Sequence, residues 1–350
     1  VELRAIGRTD MKVSCVGLGA MTLGGQTAQQ DALRMLDMAW DAGITLFDTA
    51  ENYPTPLSAQ TQGRSEEILG SWIAARGLRD RVVVATKVAG PGNAAGDMKY
   101  IRGDNRHLDR ANIATAVDDS LRRLRTDYID LYQLHWPERA ITTHGRSRYS
   151  YIPDAPNVVP IEETLTALGD LVQAGKIRQV GVANETPWGV MRYLAAARQL
   201  GLPRPVTIQN GYSLLDRYFE LGLSEIAMRE EVGLLAYSPL AGGLLTGKYG
   251  TAPQAIPGSR SSLSPGFSAR FTPNKLNAVA AYVELARQHG LDPVHMALAF
   301  VRQQPFTTSV LMAASTPAQL ERNLHGVDVS LSKELIRQIN AIHDDRPNPS

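Results

Sequence analysis

Three stretches of the chain repeat one arrangement of apolar and polar positions. In ALRMLDMAWDAGITLFDTA, TALGDLVQAGKIRQVGVAN and LSEIAMREEVGLLAYSPL, apolar residues recur at helical spacing, a glycine follows (Gly43, Gly175, Gly233), and a short β-rich apolar run comes directly after. Helical spacing gives a helix one apolar face, and a glycine past the last turn supplies the left-handed conformation that ends it. Each stretch therefore predicts a helix delivering the chain into a strand. A fourth unit runs from an N-cap at Asp109 through Ile113, Val117, Leu121 and Leu124 into YIDLYQLHW, and a fifth from SEEILGSWIAARG into RVVVATK. Further strands are expected near 206–209 and 309–312, with helices between.

About eight strands alternating with helices, and no composition break marking a linker, predict an α/β fold with residues 1–350 as a single domain. A closed parallel (β/α)8 TIM barrel with its helices outside uses the pattern most economically. An open doubly wound sheet alternates in the same way, and spacing alone does not distinguish closure. The opening residues ELRAIGRTDMKVS predict a hairpin ahead of the first barrel strand, closing the barrel's bottom.

Composition narrows the function. A chain of 350 residues with 43% hydrophobic content builds a large core. A net charge of +1 with interspersed signs offers no stripe for nucleic acid. One cysteine excludes an internal disulfide and fits a reducing compartment. The first dozen residues lack the apolar stretch of a signal peptide and no run approaches a membrane span, so cytoplasmic location without membrane partners is expected. No sequence feature indicates an oligomeric state.

The segment CVGLGAMTLGG tests for a dinucleotide-binding Rossmann turn. That motif needs glycines at its first, third and sixth positions, and the sixth here is Thr22. The polar residues at strand ends say more. LFDTAENY offers Asp48 and Tyr53, VVVATK ends in Lys87, and LYQLHW ends in His135. Each alone has an ordinary reading as a cap, a snorkelling amine, a rim aromatic or a core histidine. Together they would meet on the C-terminal rim, where barrel enzymes hold their active sites. Three long connections, 88–108, 137–160 and 241–273, follow strands and would crowd the same rim. Trp136, just before the second, and Tyr149, Tyr151 and Phe267 within them are candidates to wall an apolar pocket.

The chemistry of that set follows from its residue types. A carboxylate at Asp48 would hold the Lys87 ammonium, which would lower the pKa of Tyr53 from about 10. A phenol poised to protonate an oxygen suits carbonyl reduction, given a hydride donor. A barrel glycosidase requires facing carboxylic acids, and the apparent fourth and seventh strands end in His135 and Tyr237 instead. The histidines show no zinc-ligand spacing.

FDTAENY, VVVATK, LYQLHWP, GKIRQVGVAN, IQNGYSLL and AYSPLAGGLLTGKY, in this order, resemble the aldo-keto reductase superfamily, in particular its bacterial Tas-type branch related to potassium-channel β subunits. The resemblance implies a barrel binding NADP(H) in extended form at its C-terminal rim, with a small-molecule carbonyl substrate. It carries the family's tetrad onto Asp48, Tyr53, Lys87 and His135, with Tyr53 as proton donor. It places the nicotinamide carboxamide against Asn184 and Gln209, the ring on Tyr237 and Met21 beside that pocket. The pyrophosphate falls on Ser238, Leu240, Gly242 and Lys248, the 2′-phosphate on Arg260, and the adenosine end on Ser315, Gln319 and Asn323. Ala183 departs from a common serine and Arg322 from an acidic residue of the channel-type relatives. A related alternative is a redox-sensing or regulatory subunit that holds NADP(H) with incidental turnover.

Overall fold

The computed structural model describes residues 1–92, 98–103, 105–142, 150–250, 256–263, 266–267 and 271–349. Two short strands, β1 (Leu3–Ala5) and β2 (Lys12–Ser14), pair antiparallel as the expected hairpin, with Leu3 opposite Ser14. Eight parallel strands follow: β3 (Val16–Gly19), β4 (Leu46–Asp48), β5 (Val83–Val88), β6 (Ile129–Leu134), β7 (Ile177–Ala183), β8 (Pro205–Gly211), β9 (Gly233–Tyr237) and β10 (Thr307–Met312). They pair in chain order, and β10 lies between β9 and β3, so the sheet closes. The alternation thus resolves into a TIM barrel and excludes the open sheet.

The helices are α1 (Gln29–Asp41), α2 (Arg64–Arg76), α3 (Arg110–Leu124), α4 (Ile161–Gln173), α5 (Pro187–Leu200), α6 (Leu223–Glu230), α7 (Arg260–Leu263), α8 (Pro273–Gln288), α9 (Pro293–Arg302), α10 (Pro317–Leu324) and α11 (Lys333–Asp345). Asp109 caps α3 as its position predicts, its Oδ1 accepting the Asn112 amide at 2.9 Å. Gly43 and Gly175 take the expected left-handed conformation, at φ 82° and 73°. Gly233 does not. The left-handed residue after α6 is Glu231, at φ 52°, whereas Gly233 opens β9 at a point where a Cβ would stand 1.9 Å from Thr308 Oγ1. Close approach of neighbouring strands, not helix termination, demands that glycine. Gly70 has a similar reason: a Cβ there would stand 2.4 Å from the Leu124 backbone, where α2 crosses the end of α3.

Two apolar layers form. The larger lies between strands and helices, for example Phe47 packed on Trp72 with ring centroids 5.1 Å apart. The smaller fills the barrel: Ile6 and Val13 from the hairpin join Leu46, Ala85, Leu131, Val206, Leu235 and Leu311. The hairpin therefore plugs the N-terminal end, as anticipated. Side chains alternate along a strand, so Asp48, Lys87 and Gln133 project on the same inner face one step above Leu46, Ala85 and Leu131. The candidate acid–base residues enter the lumen at its C-terminal end. Among the described residues no helix is long and apolar enough to cross a membrane, and no group of potential metal ligands gathers.

Candidate active site

Strand register brings three of the four candidate acid–base residues together, and the turn after β4 adds Tyr53. Asp48 ends β4 beside Ala85 of β5, Lys87 lies opposite Gln133 of β6, and His135 immediately follows β6. Lys87 Nζ donates to Asp48 Oδ2 at 2.5 Å and to the Thr49 carbonyl at 2.8 Å, with both side chains buried. The other carboxylate oxygen of Asp48 accepts Gln133 Nε2 at 3.1 Å and Gln209 Nε2 at 2.8 Å. Lys87 Nζ lies 5.3 Å from the centroid of the Tyr53 ring, and the His135 ring meets that ring edge-on at 5.6 Å.

Tyr53 is held by its backbone: its amide donates to the Ala50 carbonyl at 3.1 Å, and its carbonyl accepts the Gly63 amide at 2.9 Å. The neighbouring Thr55 amide donates to the Met21 carbonyl at 2.9 Å, which ties the segment after β3 to the tyrosine. Met21 thus stands beside the site.

Burial, followed by the Asp48 charge and Tyr237, pushes the Tyr53 hydroxyl above the ordinary tyrosine range, against a lowering influence from Arg260. The expectation that Lys87 would depress it does not hold in this structure. The carboxylate in contact with the ammonium offsets its field at the phenol, and desolvation prevails. Burial also pulls Lys87 below its ordinary value, while Asp48 acts against that shift. His135 is held well below the usual histidine range by burial and secondarily by Lys87. Its Nδ1 is buried without a hydrogen-bond partner among the described residues. The site therefore presents a protonated phenol and a neutral imidazole near pH 7.

The residues expected around a cofactor are distributed along the same rim. Asn184, just past β7 in the left-handed region at φ 54°, donates through Nδ2 to the His135 carbonyl at 2.7 Å and accepts the Tyr237 hydroxyl at 2.7 Å. Both ends of its amide are thus already engaged, as is Gln209 Nε2, which also reaches Gln133 Oε1 at 3.0 Å. After β9, Ser238, Ala241, Gly242 and Gly243 all have positive φ, at 54°, 49°, 68° and 94°. Leu240 lies inside this turn, and its carbonyl accepts the Gly243 amide at 2.9 Å. A Cβ on Gly243 would stand 3.3 Å from Lys248 Nζ, so the ammonium sits over the turn. Such a winding of backbone beside a cation fits a diphosphate.

Arg260 begins α7 with its guanidinium 5.5 Å from the Phe267 ring centroid, and a Cβ on Gly242 would stand 2.7 Å from the same ring. Phe267, expected in a substrate wall, instead packs over the glycine turn within a cluster with Tyr249 and Phe271. Trp136 is half-buried beside His135, rings 4.8 Å apart. Tyr151 is 75% exposed and walls nothing. Tyr149 lies outside the described residues. At the start of α10, Ser315 donates to Gln319 Oε1 through both N and Oγ at 3.0 Å, whereas Asn323 is buried. Arg322 pairs with Asp292 at 2.7 and 2.8 Å, and Ala183 is buried at the end of β7.

Sequence reasoning missed Gln133, which shares the Asp48 carboxylate. Its signal was available, since it precedes His135 by two positions on an alternating strand and must share that residue's face. It also missed the buried Glu51, two residues before Tyr53.

Comparison with known proteins bears on the whole chain. The aldo/keto reductase family model matches residues 15–344. The chain is 48% identical over 345 residues to Protein tas of Escherichia coli K12, covering 98% of each. It is 33% identical over 343 residues to the uncharacterized oxidoreductase YrpG of Bacillus subtilis, covering 98% of this chain and 96% of the relative. Aldo-keto reductase YhdN of the same organism is 33% identical over 350 residues, covering 98% and 93%. Members of the matched family typically use nicotinamide cofactors. With that match running from the strand-β3 region through most of α11, the chain belongs to the aldo/keto reductase family and is an oxidoreductase.

Proposed function

We propose that this protein reduces aldehydes and ketones to alcohols with NADPH, Tyr53 delivering the proton. The observation that carries this reading is the Asp48–Lys87 pair buried behind Tyr53, with the ammonium 5.3 Å from the phenol ring and His135 at its edge. A bound reduced nicotinamide supplies hydride to the carbonyl carbon. Tyr53, kept protonated, donates its proton to the carbonyl oxygen as negative charge develops there. Lys87 stabilises the resulting phenolate, since two of its three N–H groups are committed to Asp48 and Thr49 and one remains. His135, neutral, orients the substrate oxygen by a hydrogen bond.

The residues that would hold the cofactor are Met21, Asn184, Gln209 and Tyr237 at the nicotinamide, and Ser238, Leu240, Gly242 and Lys248 at the diphosphate. Arg260 would meet the 2′-phosphate, with Ser315, Gln319 and Asn323 at the adenosine. The left-handed turn with Lys248 over Gly243 supports a diphosphate there. Asn184 and Gln209 would share their amides between the protein and the carboxamide. Trp136 beside His135 favours medium or large carbonyl compounds, including aromatic aldehydes.

The test is NADPH oxidation followed by absorbance with para-nitrobenzaldehyde, for the native protein and Tyr53→Phe. Turnover that depends on Tyr53 supports the reading. NADPH binding with no turnover across a carbonyl panel would replace it with a cofactor-holding regulatory subunit.

A further inference from the structure

Outside the four acid–base residues, the polar group nearest Tyr53 in sequence that is both buried and charged is Glu51. Its side chain is 2% exposed and accepts three donors: Arg102 Nη1 at 2.5 Å, Arg102 Nη2 at 2.8 Å and the Ala89 amide at 2.6 Å. Arg102 completes the junction by donating to the Ala89 carbonyl at 3.2 Å and, through Nε, to Asn112 Oδ1 at 3.1 Å. Asn112 is itself fixed to the α3 cap Asp109 at 2.9 and 2.7 Å. One guanidinium thus fastens three segments: the turn carrying Tyr53, the exit of the strand carrying Lys87, and the first turn of α3.

Two further features mark this junction as built. Arg102 has a left-handed backbone, φ 52°, which is strained for a non-glycine residue and persists only where surrounding contacts hold it. The same segment touches the adjacent residue, Asn52 Nδ2 reaching Met98 Sδ at 3.9 Å, and Met98 is fully buried. The clamp is also short in sequence. Glu51 precedes Tyr53 by two residues, and Ala89 follows Lys87 by two. The Glu51 amide donates to the Lys87 carbonyl at 3.2 Å, so the backbone of the two catalytic segments is in register at this point.

Resting on the reductase reading above, we infer that Arg102 is a positioning residue, which through Glu51 and Ala89 sets the separation of the Tyr53 phenol from the Lys87 ammonium. It touches neither reacting group. Loss of the fork leaves the Glu51 carboxylate with the Ala89 amide as its remaining donor, and displacement by about 1 Å costs a reaction of this kind up to about a hundredfold.

The experiment compares native protein, Arg102→Lys and Arg102→Gln in turnover of para-nitrobenzaldehyde, NADPH dissociation constant, solvent deuterium isotope effect on kcat, and urea midpoint. Lysine keeps the charge but not the bidentate fork, so Arg102→Lys retains the fold if Arg102→Gln does not. The expected result in each folded variant is a kcat lowered about tenfold or more, NADPH affinity within about twofold of native, and a larger solvent isotope effect as proton delivery becomes limiting. Unchanged kcat in Arg102→Lys overturns the inference. So does a loss of kcat with an unchanged isotope effect, or one matched by an equal loss of NADPH affinity. An inactive native protein instead sinks the reductase reading, and the inference with it.

Discussion

Lys87 Nζ and Asp48 Oδ2 stand 2.5 Å apart at the top of the barrel lumen, on adjacent strands and with both side chains buried. Directly beneath them the lumen is apolar, filled by Leu46, Ala85 and Leu131. The Lys87 side chain is 1% exposed, so surrounding water does not replace the carboxylate, whose oxygens accept three donors. Pair and glutamines behave as one unit.

Removing one partner strands a buried charge, at a cost of about 3–5 kcal/mol. Lys87→Met should therefore destabilise the protein by about that much in urea unfolding. The double variant Lys87→Met/Asp48→Asn should lose less than the sum of the two single variants. Strict additivity would show that the groups are not coupled.

Tyr53→Phe removes the proposed acid while keeping the ring against His135. Turnover should fall by about 10²–10⁴-fold, with NADPH affinity unchanged, because the hydroxyl is not needed to seat the cofactor. Burial and Asp48 raise the Tyr53 pKa, so the protonated donor persists through neutrality and beyond pH of about 10, where an ordinary tyrosine ionises. Steady-state rates should show no loss attributable to Tyr53 below that pH; an inflection near neutrality that disappears in Tyr53→Phe would contradict this.

His135 gives a stability effect of opposite pH sense. Its native pKa lies well below the usual value, so below a pH of about 6.5 the unfolded chain takes up a proton that the native protein refuses. The stability due to neutral His135 is present above that pH and is lost as the pH falls through it toward the native pKa. Urea midpoints measured from neutral to mildly acidic pH should drop more steeply for native protein than for His135→Gln. Parallel curves would assign the acid sensitivity elsewhere.

Arg260 is the proposed 2′-phosphate contact. A charge-assisted hydrogen bond is worth about 1.5–3 kcal/mol, so Arg260→Ala should weaken NADPH binding by about ten- to a hundredfold and leave NADH affinity nearly untouched. Fluorescence titration with both cofactors measures this. Equal losses for the two would mean that Arg260 acts through Phe267 and the glycine turn.

Gly70→Ala tests the fold beside the site. The added methyl would meet the Leu124 backbone at 2.4 Å, which no side-chain rotation relieves. Overpacking of this kind costs about 1–3 kcal/mol or more, to be seen as a lowered thermal midpoint.

The barrel was legible because helix-then-strand periodicity recurs along the chain, and because Asp109, Gly43 and Gly175 carry local capping signals. Gly233 misled, since a glycine required by a neighbouring strand looks identical in sequence to one that ends a helix. Asp48, Lys87 and His135 could be read from their positions at strand ends. Glu51 with Arg102, and Asn112 behind them, could not, because 51 residues separate the ion pair and nothing local announces it. The direction of the Tyr53 shift was also hidden. It depends on how far burial outweighs a cation whose own counter-ion is in contact with it, which is a matter of three-dimensional balance.

The hairpin residues Ile6 and Val13 complete the barrel's interior from below, while every proposed contact with ligands is made at the opposite end of the strands. Foundation and workshop are thus separate rooms. The interior packing beneath the rim is built by the strands and the hairpin, so exposed loop positions at the mouth, such as Tyr151, are where substrate range can change with least effect on the cylinder.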